Sequence, residues 1–380
     1  MIPPLSPLIL YPEDDLNNGY LVSNILGTGA SAIVVQAKTP RKMHDVAVKI
    51  CKEQCLICEK SLSEWEILKL FQGSPHVLQA KRAITLSCQY SIDADGTICP
   101  KKEGIHGHIH AIVTELLSPN AYKTLVEPKA RLSVDTTIRI GMQGFEALLK
   151  FQEKNIVHRD IKPDNITWEK GFLTIFDLDT AKDLNQIDPK FPVGTPAYWS
   201  PEQAFLLPYG AGVDVWGLAA TLFELYTGTR FIAIGIPVEK DNLGQIIIDY
   251  FCSLTQNFGA LPASLPIPQD YQCLFKADRS MNCSASPEAQ IALDDFRAIS
   301  REYPTLPTWR ARLLHAAHVK GESDAEAQKL ISFLKEMFQV EKKRITPIDA
   351  LSKFKELTSP RSCRSPTVLE RLTATATPRG

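Results

Sequence analysis

Strand-like and helical spacings of apolar residues divide this chain in order. Tyr20-Leu21-Val22-Ser23-Asn24-Ile25-Leu26 reads as a strand, and Ala32-Ile33-Val34-Val35-Gln36-Ala37 is β-branched and strand-forming. Asp45-Val46-Ala47-Val48-Lys49-Ile50 is a third strand. Leu62, Trp65 and Leu68 then fall at helical spacing, which predicts a helix to about Leu70. Ala111 to Leu117 returns to a buried strand. The stretch from 88 to 110 is too long for a simple hairpin connection, so it is expected to be a solvent-facing insertion. Beyond it the period is helical. Ile138, Met142, Phe145, Leu148 and Leu149 mark a helix over Asp135–Gln152, and an apolar helix starts near Asp214 and runs through Leu225.

Composition changes this picture little. The 380 residues are 44% hydrophobic with a formal net charge of −1, an ordinary globular balance without the basic surplus expected of a nucleic-acid binder. No apolar run is long enough to span a bilayer, and the start lacks the positive region of a secretory signal. Nine cysteines without a regular framework suit reduced thiols, so a cytoplasmic setting is expected. Cys55 and Cys58 are spaced C-x-x-C, but no second pair matches them. His106, His108 and His110 alternate as on one strand face, so solvated or core residues are expected there rather than zinc ligands. Asp93-Ala94-Asp95-Gly96 lacks the length and terminal glutamate of a calcium loop and reads as a hairpin turn.

The chemistry concentrates in His158-Arg159-Asp160-Ile161-Lys162-Pro163-Asp164-Asn165. A carboxylate at Asp160 can orient a hydroxyl and accept its proton. Lys162 can neutralise charge on a transferred γ-phosphoryl, and Asn165 can ligate magnesium. The octet matches H-R-D-x-x-x-x-N, and with it the chain resembles the eukaryotic-type (Hanks-type) serine/threonine protein kinases. Gly27-Thr28-Gly29-Ala30-Ser31-Ala32 alone also fits a dinucleotide fingerprint. A strand follows it instead of a helix, which suits a phosphate-covering hairpin loop, with Ala32 in place of the third glycine.

The resemblance implies an α+β bilobal fold: a small antiparallel sheet with one main helix, a larger helical lobe, and ATP between them. The expected boundaries are a leader over 1–18, a kinase domain over 19–355 and a Ser/Thr/Pro/Arg-rich tail over 356–380. The small lobe would span about 19–115 and the large lobe about 118–355, with an unassigned insertion at 265–325. Lys49 would contact the α- and β-phosphates and pair with Glu64. Glu66 is the rival partner, but it lies off the inward Leu68 face. Leu26, Val34 and Ala47 would wall the adenine beside Thr114, with the backbone of Glu115 to Leu117 as hinge. Asp177 in Asp177-Leu178-Asp179 would join Asn165 in holding Mg2+. Leu178 would plug against Leu68 and His158. Asp179 replaces a glycine and brings a second carboxylate near the metal.

Gly194-Thr195-Pro196-Ala197-Tyr198-Trp199-Ser200-Pro201-Glu202 resembles the end of the family's activation segment. By that likeness Thr195 would bond Asp160 and Lys162, Glu202 would pair with Arg344, and Asp214 would brace the catalytic loop. Lys162 is the serine/threonine form of that loop. Leu206 to Gly210, with 241–244 and 259–262, looks similar to the branch of dual-specificity and homeodomain-interacting kinases. The implied activity is transfer of the ATP γ-phosphoryl to protein Ser/Thr. A catalytically weak pseudokinase scaffold is the alternative, raised by Asp179 and Ala32. Residues 182–193 hold no Ser, Thr or Tyr. Arg159, which in the family grips an activation-loop phosphate, is therefore expected to meet Asp188 or Asp183 instead.

Overall fold

The computed structural model describes residues 19–28, 32–39, 44–51, 64–87, 90–92, 98–100, 108–130, 132–234, 243–282 and 308–358. A five-stranded antiparallel sheet occupies the N-terminal part. Its strands are β1 (Leu21–Thr28), β2 (Ala32–Lys38), β3 (Asp45–Cys51), β4 (Ala80–Ser87) and, after a small hairpin of β5 (Tyr90–Ile92) and β6 (Ile98–Pro100), β7 (His108–Thr114). The order across the sheet is β1-β2-β3-β7-β4.

The strand period builds both faces. Ile33, Val35 and Ala37 of β2, Val46, Val48 and Ile50 of β3, and Ala111 and Val113 of β7 point into one apolar cluster. The residues between them, Ala32, Val34, Ala47, Lys49, Ile112 and Thr114, therefore share the other face and line a cleft. Helix α1 (64–70) packs Ile67 and Leu68 toward the larger core. The expected Cys55/Cys58 pair, the Asp93–Gly96 turn and His106 lie outside the described residues. So do the termini 1–18 and 359–380.

The larger lobe is helical. Helix α2 (Val134–Glu153) starts at Ser133, whose side chain accepts the Thr136 N–H. After α3 (Pro201–Ala204), α4 (Gly212–Thr227) is buried from Val213 to Tyr226, which matches its all-round apolar sequence, and it ends at Gly228 with φ +73°. Helices α5 (Leu243–Phe258), α6 (Trp309–Lys320) and α7 (Asp324–Met337) pack beside it, and α8 (Pro347–Lys353) packs on α2. Trp216, Phe231, Phe258, Trp309 and Phe338 interlock at the centre. Helix α6 falls within the stretch where the sequence offered no motif.

The two parts are stitched beside the cleft. Short strand β8 (Ile156–Val157) pairs with β11 (Lys182–Asp183), and β9 (Ile166–Glu169) with β10 (Phe172–Ile175). The segment after α1 adds to β10: Ile175 N–H donates to His76 and Leu78 N–H to Ile175, each at 2.9 Å. The buried His76 ring meets the Leu173 carbonyl at 2.8 Å and the Glu146 carboxylate at 3.0 Å. Chain leaving β10 reaches Asp177 two residues later, so its position is tied to the segment that carries α1.

Candidate active site

The cleft between sheet and helices encloses about 700 Å³, an ordinary size for a small-molecule site. Leu26, Gly27, Thr28, Ala32, Val34, Ala47, Lys49, Glu64, Thr114, Glu115, Leu117, Asn165 and Asp177 all line it. Gly29, Ala30 and Ser31 lie outside the described residues. Asp179 lines it too, as its expected place near the metal requires, whereas Leu68, Leu78, Ile112, Ser118, Pro119, Asn120, Lys123, Asp164 and Phe176 line the cleft and were not expected there. Ile112 carried a readable signal, because it sits two residues before Thr114 on the same strand face. The Glu115 N–H is spent on the Gln79 carbonyl at 3.2 Å, and the Glu115 side chain accepts the Gln79 N–H at 2.9 Å.

At the upper wall Lys49 meets three carboxylates. Its ammonium lies 3.0 Å from Glu64, 2.8 Å from Asp177 and 2.5 Å from Asp179. Glu66 turns to solvent and pairs with Lys69. Burial alone would lower the Lys49 pKa, but Glu64, Asp177 and Asp179 more than reverse it and hold the amine charged well above the lysine range. Burial pushes the Glu64 pKa up and the two aspartates add to this, while Lys49 opposes it by favouring the carboxylate. Asp177 adopts φ +63°. Leu178, next along, is buried in the core that also holds Leu68.

Beside the cleft runs the loop from β8 to β9, which contributes Asp164 and Asn165 to the lining while Asp160 and Lys162 are not among the lining residues. Asp214, in the first turn of α4, accepts the N–H groups of His158 at 2.7 Å and Arg159 at 2.8 Å. Asp160 is the centre of a bonded cluster. One carboxylate oxygen takes the Thr195 N–H at 2.8 Å, and the other takes Lys162 at 2.8 Å and the Asn165 amide at 3.0 Å. Lys162 also donates to the Thr195 hydroxyl at 2.7 Å. Gly194 permits this closeness: at its φ of +84° a Cβ would sit 2.3 Å from the Arg159 carbonyl oxygen.

A neighbouring frame carries the segment that ends in α3. Glu202 forms a buried ion pair with Arg344 at 2.9 Å. Tyr198 donates to Glu224 at 2.5 Å, and Tyr250 donates to the Trp199 carbonyl at 2.8 Å.

The residues 20–354 match the family model for the protein kinase domain. The chain belongs to the protein kinase family. Among curated relatives, it is 27% identical over 224 residues to the serine/threonine-protein kinase prp4 of Schizosaccharomyces pombe, covering 57% of this chain and 43% of that protein. It is 23% identical over 316 residues to a probable serine/threonine-protein kinase of Clostridium acetobutylicum, covering 81% of this chain and 44% of that one. It is 26% identical over 260 residues to the dual specificity protein kinase YAK1 of Saccharomyces cerevisiae, covering 64% of this chain and 29% of YAK1. The chain thus spans less than half the length of each. The five-stranded sheet and helical lobe agree with the bilobal α+β fold of this family.

One expectation is corrected. Arg159 meets neither Asp183 nor Asp188. Its Nε donates to the Thr180 carbonyl at 2.7 Å, and its guanidinium lies beside the Tyr209 hydroxyl. Asp183 is taken up by Asn155 and by the Asn185 N–H, and Asp188 by the Lys190 N–H. Backbone donors two residues away win over a distant guanidinium because holding them orders little extra chain. No helix among the described residues is long and apolar enough to cross a membrane.

Proposed function

We propose that this chain transfers the γ-phosphoryl of ATP to Ser or Thr hydroxyls of a protein substrate. The observation that carries the reading is the bonded cluster of Asp160, Lys162, Asn165 and Thr195, which reaches through Asn165 into the cleft that Lys49, Glu64 and Asp177 also line. Asp160 orients the acceptor hydroxyl and takes its proton. Lys162 balances charge on the transferred group, and Lys49, braced by Glu64, holds the α- and β-phosphates. Leu26, Val34, Ala47 and Thr114 enclose the base. Asn165 spends its amide nitrogen on Asp160, which makes its carbonyl oxygen the atom it offers a cation. With the Asp177 carboxylate this is an all-oxygen donor set on the cleft wall, which suits Mg2+. When bound there, Mg2+ would neutralise the β- and γ-phosphates.

A cytoplasmic setting belongs to the proposal, since Cys252 and Cys273 are thiols rather than disulfide halves. The pairing of Lys49 with Glu64 supports an enzyme over a pseudokinase scaffold. The test is purified protein with labelled ATP, Mg2+ and a mixed protein substrate. Lys49→Met, Asp160→Asn and Asp177→Ala should each reduce transfer by roughly 10²-fold or more while the chain stays folded. Nearly wild-type turnover in all three would overturn the assignment.

A further inference from the structure

An ammonium has three N–H donors, and those of Lys49 face three carboxylates. None is left over for a nucleotide phosphate. A phosphate oxygen that reaches Lys49 must therefore replace one of the three. Glu64 has nowhere to go, because its side chain is only 4% exposed. Asp177 and Asp179 open to the cleft, at 38% and 37% exposure. Asp177 is the residue the preceding reading needs for the cation. We propose that Asp179 is a built-in stand-in for phosphate: its carboxylate occupies Lys49 in the empty cleft, is displaced by the ATP phosphates, and so sets the affinity for them. This rests on the kinase reading and deepens it. The residue that departs from the family's glycine then has a definite effect, opposing phosphate entry while leaving the adenine pocket unchanged.

The test compares full-length wild type with Asp179→Asn and Asp179→Gly, titrating ATP and adenosine by calorimetry without divalent cation. Adenosine presents the same base and ribose without phosphates. Loss of the Asp179 charge should tighten ATP about tenfold, the scale of one charge-assisted hydrogen bond, and leave adenosine unchanged. The gain should shrink as salt is raised. In a Lys49→Met background it should vanish, because no ammonium remains to compete for. A gain that persists there marks plain charge repulsion and overturns the displacement. Equal tightening of adenosine indicates a reshaped pocket and overturns it too. Wild-type protein that binds neither ligand overturns the nucleotide reading together with the proposal. If wild type binds ATP and both variants match it, the proposal alone fails.

Discussion

Glu202→Ala should be among the most damaging single changes outside the cleft. Both carboxylate oxygens of Glu202 accept from Arg344, at 2.9 and 3.2 Å, and one also takes the Glu341 N–H at 2.7 Å. The Arg344 side chain is fully buried. Without Glu202 it keeps the Gln339 carbonyl at 2.9 Å and the face of Trp216. Breaking a buried pair from one side costs about 3–5 kcal/mol, mostly for the charge left behind. That is a large part of the roughly 5–15 kcal/mol that holds a domain folded. In urea the midpoint should fall by about 1 M at constant slope. Replacing both partners, as Glu202→Met with Arg344→Met, should recover most of the loss, because no buried charge remains. Acid offers a second check. Burial alone would raise the Glu202 pKa, but Arg344 more than offsets it and holds the carboxyl below its ordinary 4.5. A depressed folded pKa means stability that is fully present above the ordinary value and lost as pH falls through the folded one. The gap between wild type and Glu202→Gln should therefore close only below about pH 4.5. A midpoint shift of under about 0.3 M at neutral pH, or a gap that widens in acid, would refute the argument.

Gly194→Ala should cost transfer more than stability, because a Cβ 2.3 Å from the Arg159 carbonyl forces apart Thr195 and Asp160. A rate drop of roughly tenfold or more with a near-normal melt is expected, and an unchanged rate would count against the Asp160–Thr195 contact. Phosphatase-treated protein should retain its activity, since Arg159 is already held by Thr180 and lies beside Tyr209. Tyr209→Phe should lower activity even after that treatment, and a dead phosphatase-treated enzyme would show that a phosphate is required. Phosphoamino-acid analysis of substrate should give phosphoserine and phosphothreonine, and predominant phosphotyrosine would contradict the part given to Lys162.

Much of this site was legible because strand geometry makes it so. Period two sends Val46, Val48 and Ile50 to one side, and Ala47 and Lys49 must then share the other. Likewise, an unpartnered buried lysine is costly, so Lys49 demanded an acid, and the face occupied by Leu68 selected Glu64 over Glu66. What stayed hidden depends on where separate segments come to rest. Arg159 adopts φ +69° and lies beside Tyr209 from the segment between α3 and α4, a neighbour that no spacing in the sequence announces. Charge and loop position favoured Asp188, yet its carboxylate is spent on the Lys190 N–H two residues on. Asp179 shows the same divide in one residue. Its identity announces a second carboxylate near the metal position. Which proton that carboxylate takes is decided by a lysine 130 residues earlier, and only their 2.5 Å separation turns an awkward substitution into a competitor for phosphate.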